Sequence, residues 1–476
     1  MKFGSRTKVV ATLGPSVDDP LILEQLIASG VDVVRLNFSH GHMTDHTHRV
    51  TMIRNISQKL HKEVGILADL QGPKIRITQF AQQRVVLSKG ALFTLDAEVA
   101  EDAGDQNQVG ITYKNLPQEV KVGDILLLND GLIALKVLRI HHSQIICEVI
   151  IGGELTNNKG INLQGGGLSA AALTAKDQHD LQAALAMDVD YIAVSFVRNA
   201  QDILQARQLI KATGNDCGII AKIERQEAVE NLDEIIRAAD AVMVARGDLG
   251  VEMGDAKLPG TQKEIIHRAR TLNKSVITAT QMMESMIYQP QPTRAEVLDV
   301  ANAVFDGTDA VMLSAETATG QYPLEVIQSI QRICKEVEKH PKATLSRHRI
   351  ECHFERSDEA IAMAAMYAAN HFDIKAIISL TESGATPLIM SRIRSGIPIY
   401  GLSRQIKTLR RMTLYRGVFP VLFDATGMAP RELNQQAIAL LCSEKRIQSG
   451  DRVIITKGDM VGVHGQTNTL KIITVT

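Results

Sequence analysis

At 476 residues the chain is too long for one hydrophobic core and suits two to four domains. Its 52 Lys plus Arg balance 53 Asp plus Glu, a formal net charge of −1, which gives no support to a nucleic-acid or anionic-membrane partner. Five scattered cysteines, Cys147, Cys217, Cys334, Cys352 and Cys442, form no Cys-x-x-Cys pair, so a disulfide framework or structural zinc site is not expected and a reducing cytoplasm fits.

The apolar run at Val9 to Leu13, broken by Thr12, is too short for a secretory core. No later segment approaches the ~18 apolar residues of a membrane span. Short β-branched runs then alternate with amphipathic stretches, as in parallel strand–helix units. The runs are Lys8–Leu13, Asp32–Asn37, Val64–Leu70, Tyr191–Phe196, Gly218–Ile223, Ala241–Arg246, Ser275–Thr280 and Ala310–Ser314. Helical patterns lie between them, among them Pro20–Ser29, Asp45–Lys62, Thr174–Met187, Glu227–Ala239 and Arg294–Phe305. Eight such units fit a (β/α)8 barrel better than an open doubly wound sheet, although the pattern alone permits either.

After the third run the period changes to that of β structure, with runs at Arg84–Leu87, Gly110–Tyr113, Asp124–Leu128, Leu132–Ile140 and Gln144–Ile151. An all-β lid inserted at the strand-end rim is the natural reading, with Gly165–Gly167 as its exit hinge. A charged stretch from Lys335 to Glu355 reads as a linker. Beyond it a helix over Glu359–His371 and strands at Lys375–Leu380, Pro398–Leu402, Val418–Phe423, Arg452–Thr456 and Leu470–Val475 form a doubly wound α/β domain. The expected division is barrel 1–72, lid 73–171, barrel 172–342 and C-terminal regulatory domain 343–476.

Polar residues crowd the ends of the barrel runs, where active sites of such barrels lie. Arg35, Asn37 and Ser39 share one strand face; Asp69, Lys222, Glu224, Arg246, Asp248, Thr278, Thr280, Ser314 and Glu316 end other runs. Lys222 and Glu224, two apart, point the same way, either as a rim salt bridge or as a site. Glu224 and Asp248 offer hard oxygen ligands for Mg²⁺. Arg35 and Lys222 offer positive charge to a phosphoryl group, and Gly247-Asp248-Leu249-Gly250 reads as a tight loop whose N–H groups could receive a carboxylate. Metal, carboxylate pocket and cations suit phosphoryl transfer to or from a small phosphorylated acid. His42 and His46 could share a helix face as zinc ligands, but a helix start with scattered histidines is the better reading.

These residues lie in blocks that resemble the pyruvate kinase family: Val33–Gly41, Asp69–Arg76, Ala221–Glu224, Met243–Glu252, Thr278–Met286, Pro292–Glu296 and Asp299–Ala318. The resemblance implies a Mg²⁺-dependent cytoplasmic enzyme, with Mn²⁺ as a possible substitute, moving a phosphoryl group from phosphoenolpyruvate to ADP to give pyruvate and ATP. It implies that Arg35 and Lys222 contact the phosphoryl group and that Glu224 and Asp248 hold the metal. Gly247, Asp248 and Thr280 would receive the substrate carboxylate, with Thr280 also aiding proton transfer. Pro15, His40, Arg76 and Lys159 would lie near the nucleotide.

One departure concerns potassium. Lys74 stands where much of the family has Glu, and Leu70 can ligate only through its carbonyl. The chain therefore resembles the bacterial subgroup that needs no K⁺, with the Lys74 ammonium substituting for the cation near Asn37, Ser39 and Asp69; a lid-hinge surface residue is the other reading of Lys74. Thr381, Ser383, Gly384 and Thr386 match the family's effector-phosphate loop, which Lys457–Asp459 and Gly465–Asn468 could close. Ala385 replaces an Arg common there, and the subgroup answers to AMP or sugar monophosphates. A homotetramer is implied. A barrel lyase or aldolase forming a pyruvate enolate, and an inactive metabolite sensor, are the rival readings.

Overall fold

The computed structural model describes residues 4–344, 353–459 and 467–476. Eight parallel strands close into a barrel: β1 (Lys8–Thr12), β2 (Val33–Asn37), β3 (Gly65–Asp69), β4 (Tyr191–Val194), β5 (Gly218–Ile223), β6 (Ala241–Ala245), β7 (Ser275–Ala279) and β8 (Ala310–Leu313). Each pairs with its chain neighbour, and β8 returns to β1 with Lys8 opposite Ala310. Closure excludes the open doubly wound sheet.

Strands covered on both faces need apolar side chains on both, which is why these runs read as continuous rather than alternating. Val9 and Ala11 pack outward against the helices, whereas Val10 joins the barrel interior. That interior, with Val33, Leu67, Ala193, Ile220, Met243 and Ile277, continues without a break into Met366, Ile377 and Tyr415 of the C-terminal domain. The lower mouth of the barrel is thus sealed by the C-terminal domain and the upper rim is left for chemistry.

Between β3 and β4 the chain builds the inserted β domain. Its six-stranded sheet runs in the order Ile161–Leu163, Ile125–Leu128, Ile133–His141, Gln144–Ile151, Leu92–Asp96, Gln108–Gly110, beside a ribbon of Arg84–Leu87 and Gly153–Thr156. Register breaks at Ala134/Leu135 and Val137/Arg139 bend the sheet around its core. The strands Leu92–Asp96, Gly153–Thr156 and Ile161–Leu163 go beyond the sequence pattern, because three to five residues carry too few alternations to show a period. The run expected at Gly110–Tyr113 pairs earlier, at Gln108–Gly110; Thr112 is instead bonded to Arg76, the Arg76 amide donating to Thr112 Oγ1 at 3.0 Å.

The C-terminal sheet has the order β11-β10-β9-β12-β13, formed by β9 (Ala376–Leu380), β10 (Ile399–Ser403), β11 (Val418–Leu422), β12 (Arg452–Gly458) and β13 (Thr467–Thr474), the last antiparallel. The expected linker at Lys335–Glu355 is partly helical: Pro323–Val337 runs into it and Pro341–Thr344 adds a turn, because a charged face reads as solvated chain whether or not it is coiled. The part of that linker at 345–352 lies outside the described residues, as do positions 465 and 466 of the segment Gly465–Asn468 expected to close the effector loop.

Candidate active site

The side-chain period of a strand builds the rim. On β2, β3 and β5 the inward-facing Val33, Leu67 and Ile220 are followed two residues later by Arg35, Asp69 and Lys222. Three charges therefore cap the apolar interior. Arg35 Nε lies 2.6 Å from Asp69 Oδ2, and its Nη1 donates to Thr12 Oγ1 at 3.0 Å. Lys222 Nζ lies 3.2 Å from Asp69 Oδ1 and 2.9 Å from Glu224 Oε1. It also donates to Ser195 Oγ at 2.7 Å, and that hydroxyl donates to the Leu70 carbonyl at 2.7 Å. Glu224 Oε2 accepts from the Phe196 amide at 2.7 Å.

Burial governs the electrostatics. It would raise the Asp69 carboxyl, but Lys222 and Arg35 outweigh it and hold that group below the usual carboxylate range. Burial opposes the Lys222 charge as well, yet Asp69 and Glu224 together push its pKa up, so the ammonium stays protonated. Glu224 moves the other way: burial raises it, Lys222 offsets part of that, and the nearby Asp248 raises it further. Glu224 and Asp248 each carry an ammonium partner, Lys222 at 2.9 Å and Lys74 at 3.1 Å, and carboxylate oxygens are the donors Mg²⁺ takes. The donor set fits the metal.

The expected loop at Gly247–Gly250 is the first turn of a helix, Arg246–Met253, that begins directly after β6. Its N-terminal amides face the rim, and Gly247 N donates to Thr280 Oγ1 at 2.9 Å. Thr280 and Gln281 are both left-handed, with φ of 65° and 53°. Such a conformation costs about 1–3 kcal/mol per residue and persists where surrounding structure over-determines it. Here Arg246 supplies part of that constraint, since its Nε donates to the Thr280 carbonyl at 3.2 Å and its Nη1 is clamped to Asp299 at 2.7 Å.

Lys74 enters from the lid side. Its ammonium lies 3.1 Å from Asp248 Oδ1 and 4.0 Å from Asp130, so its ion pairs are to these carboxylates rather than to Asp69. Asn37 Oδ1 accepts from the Ser39 amide at 3.2 Å. Burial, then Arg76 and then Arg35, pull the His40 pKa down. Arg76 Nη1 donates to the Asn158 carbonyl at 2.9 Å, and the Lys159 carbonyl accepts from Ile77 at 2.9 Å. Pro15 is exposed at the start of a short turn, Pro15–Val17, above β1.

In the C-terminal domain, Gly384 N donates to Thr381 Oγ1 at 2.9 Å and the Thr386 hydroxyl meets that of Thr467 at 2.7 Å. Ser383 and Gly384 lead into the short helix Ala385–Ser391, and Asn468 Nδ2 donates to Asp459 at 2.8 Å.

Glu316, His42 and His46 make contacts within the fold. Glu316 is buried and accepts from the amides of Ser314 (2.6 Å) and Met283 (3.3 Å). His42 begins the helix Met43–Leu60 and donates its amide to Asp45 at 3.0 Å, while His46 stacks on Phe38 with ring centroids 4.6 Å apart. Sequence reasoning missed Ser195 and Thr12, the hydroxyl partners of Lys222 and Arg35. Ser195 follows β4 directly, so its position at a barrel strand end was the available signal.

The family model described as pyruvate kinase, barrel domain, matches residues 4–327, and the one described as pyruvate kinase, alpha/beta domain, matches residues 359–473. The chain is 54% identical over 476 residues to pyruvate kinase II of Salmonella typhimurium, covering 99% of this chain and 98% of the relative. It is 54% identical over 475 residues to a pyruvate kinase of Buchnera aphidicola (99% and 98% covered). A pyruvate kinase of Haemophilus influenzae is 52% identical over 458 residues, with 95% of each chain covered.

Proposed function

Because the chain belongs to the pyruvate kinase family, we propose that it transfers the phosphoryl group of phosphoenolpyruvate to ADP with Mg²⁺, giving pyruvate and ATP, and that it does so without K⁺. The observation that carries this reading is the convergence of Arg35, Lys222, Asp69 and Glu224 on one end of the barrel, with Asp248 within electrostatic reach.

Arg35 and Lys222 bind the phosphoryl oxygens, and Asp69 and Ser195 hold those two cations in place before substrate arrives. Preorganised charge of this kind is the main source of rate enhancement in phosphoryl transfer. Glu224 and Asp248 hold Mg²⁺, or Mn²⁺ in its place, which supplies further positive charge to the phosphate oxygens when bound. The amides of Gly247 and Asp248 and the Thr280 hydroxyl receive the substrate carboxylate at the helix start. Thr280 also takes part in delivering the proton that turns the enol into pyruvate. Pro15, His40, Arg76 and Lys159 border the nucleotide. The test is formation of pyruvate from phosphoenolpyruvate, ADP and Mg²⁺, followed in a coupled assay; no pyruvate would refute the reading.

Lys74 carries the potassium proposal. Its ammonium beside Asp248 supplies a fixed positive charge at the phosphate end of the site. Activity in sodium or tetramethylammonium buffer is expected to match that in potassium buffer, and strong activation specific to K⁺ would refute the assignment. A Schiff-base aldolase is disfavoured on charge grounds: Lys222 lies between two carboxylates that keep it protonated, and imine formation needs a neutral amine. Borohydride with pyruvate is therefore expected to leave the protein unlabelled.

We further propose a barrel of 1–72 and 172–342, a lid of 73–171 and a regulatory domain of 343–476. Thr381, Ser383, Gly384 and Thr386 receive the phosphate of an effector such as AMP or a sugar monophosphate, and the protein works as a homotetramer in the cytoplasm. Among the described residues no helix is long and apolar enough to cross a membrane.

A further inference from the structure

At the end of the barrel away from the catalytic rim, a small cleft of about 20 Å³ lies between the barrel and the C-terminal domain. Four arginines line it: Arg6 ahead of β1, Arg270 ahead of β7, Arg394 ahead of β10 and Arg416 ahead of β11. Arg6 is matched by Glu338, whose Oε2 lies 3.5 Å from its Nε. The other three form no ion pair with a described carboxylate. The acids that act on them are already engaged, Glu338 by Arg6, Asp306 by Lys263 at 2.5 Å and Asp309 by the buried Arg392.

What Arg270 and Arg394 touch is carbonyl oxygen. Arg270 Nη2 donates to the Arg392 carbonyl at 2.7 Å, and Arg394 Nη1 to that of Lys342 at 2.8 Å. Among the described residues, buried Nη2 of Arg416 and Nε of Arg394 have no hydrogen-bond partner. Arg416 is only 9% exposed. Burial and mutual repulsion push Arg270 down to about 9 and Arg416 to about 10, and burial also lowers Arg394. At neutral pH all three remain charged. Carbonyl dipoles do not neutralise a cation, so the fold holds three like charges in a partly dry cleft at a cost a bound anion would remove.

We propose that this cleft binds a phosphate group, at a site separate from the catalytic rim and from the loop at Thr381–Thr386. Three guanidinium forks and two spare donors match a tetrahedral dianion, which presents several acceptor oxygens, better than a monovalent halide.

The test is titration of the full chain with inorganic phosphate, by calorimetry and by thermal unfolding, at ionic strength held constant with chloride. Wild-type protein is expected to gain melting temperature with phosphate. Arg394→Gln and Arg270→Gln should each bind it at least about tenfold more weakly, the loss of roughly one charge-assisted contact. Thr386→Val and Lys222→Met, which alter the two other anion sites, should keep the gain. In chloride alone Arg394→Gln should melt no lower than wild type, because it removes an uncompensated charge; a purely structural arginine would do the opposite. Should Arg394→Gln fail to fold, Arg270→Lys serves, since it keeps the charge and removes the fork. Glycerol 2-phosphate in parallel distinguishes a phosphomonoester from the free ion, and a gain with either supports the site. No gain in wild type, a gain equal in all variants, or one lost only in Thr386→Val or Lys222→Met overturns it.

Discussion

Lys222→Met is expected to lower kcat by roughly 10²–10³-fold or more, the scale of losing one preorganised electrostatic partner in phosphoryl or acyl transfer. The KM for phosphoenolpyruvate should change far less, because the ammonium is proposed to act most strongly on charge that develops in the transition state. The geometry supports this weight. Lys222 is held by Asp69, Glu224 and Ser195, so little reorganisation is needed when substrate arrives. The variant also leaves Asp69 and Glu224 with one cation fewer, so melting temperature must be measured alongside kcat. A folded variant retaining more than a tenth of wild-type kcat would remove Lys222 from the chemistry.

Asp309→Ala should cost about 3–5 kcal/mol of stability, the usual result of stripping one partner from a buried ion pair. Asp309 and Arg392 are each 1% exposed. Asp309 Oδ2 also accepts from the Val276 amide at 3.0 Å, and Oδ1 accepts from that of Arg416 at 3.0 Å. One carboxylate thus ties the start of β8, the strand beside it and two segments of the C-terminal domain. Its loss would strand Arg392 among Arg270, Arg394 and Arg416. The expected readout is a lowered urea midpoint, with the transition that includes the C-terminal domain moving first. A shift equivalent to less than about 1 kcal/mol would mean that the pair contributes no more than an exposed one.

The eight barrel runs were legible because burial on both faces demands unbroken β-branched sequence, and their number and spacing suited closure. The lid was legible as β structure but not strand by strand: Ile161–Leu163 and Gly153–Thr156 are too short for alternation to register. At the rim, the two-residue period put Arg35, Asn37 and Ser39 on one strand face and Lys222 beside Glu224, whereas the meeting of Arg35 and Lys222 at Asp69 came only with barrel closure. Ser195 escaped because a serine after a short apolar run carries no pattern of its own. The turn at Gly247 was read as a loop, since glycine at both ends conceals a helix that starts within one residue of a strand.

The sequence by itself determined the order of the elements, the strand faces on which the charges sit and the family, because these follow from local periodicity and from unbroken blocks of residues. Which charge meets which was decided only by tertiary structure. Lys74 reaches Asp248 across 174 positions of chain, Asp309 meets Arg392 across 83, and four arginines from distant segments line one cleft. Electrostatic partnership depends on distance in space and on exclusion of water, and neither quantity exists until the barrel closes and the C-terminal domain seats against it.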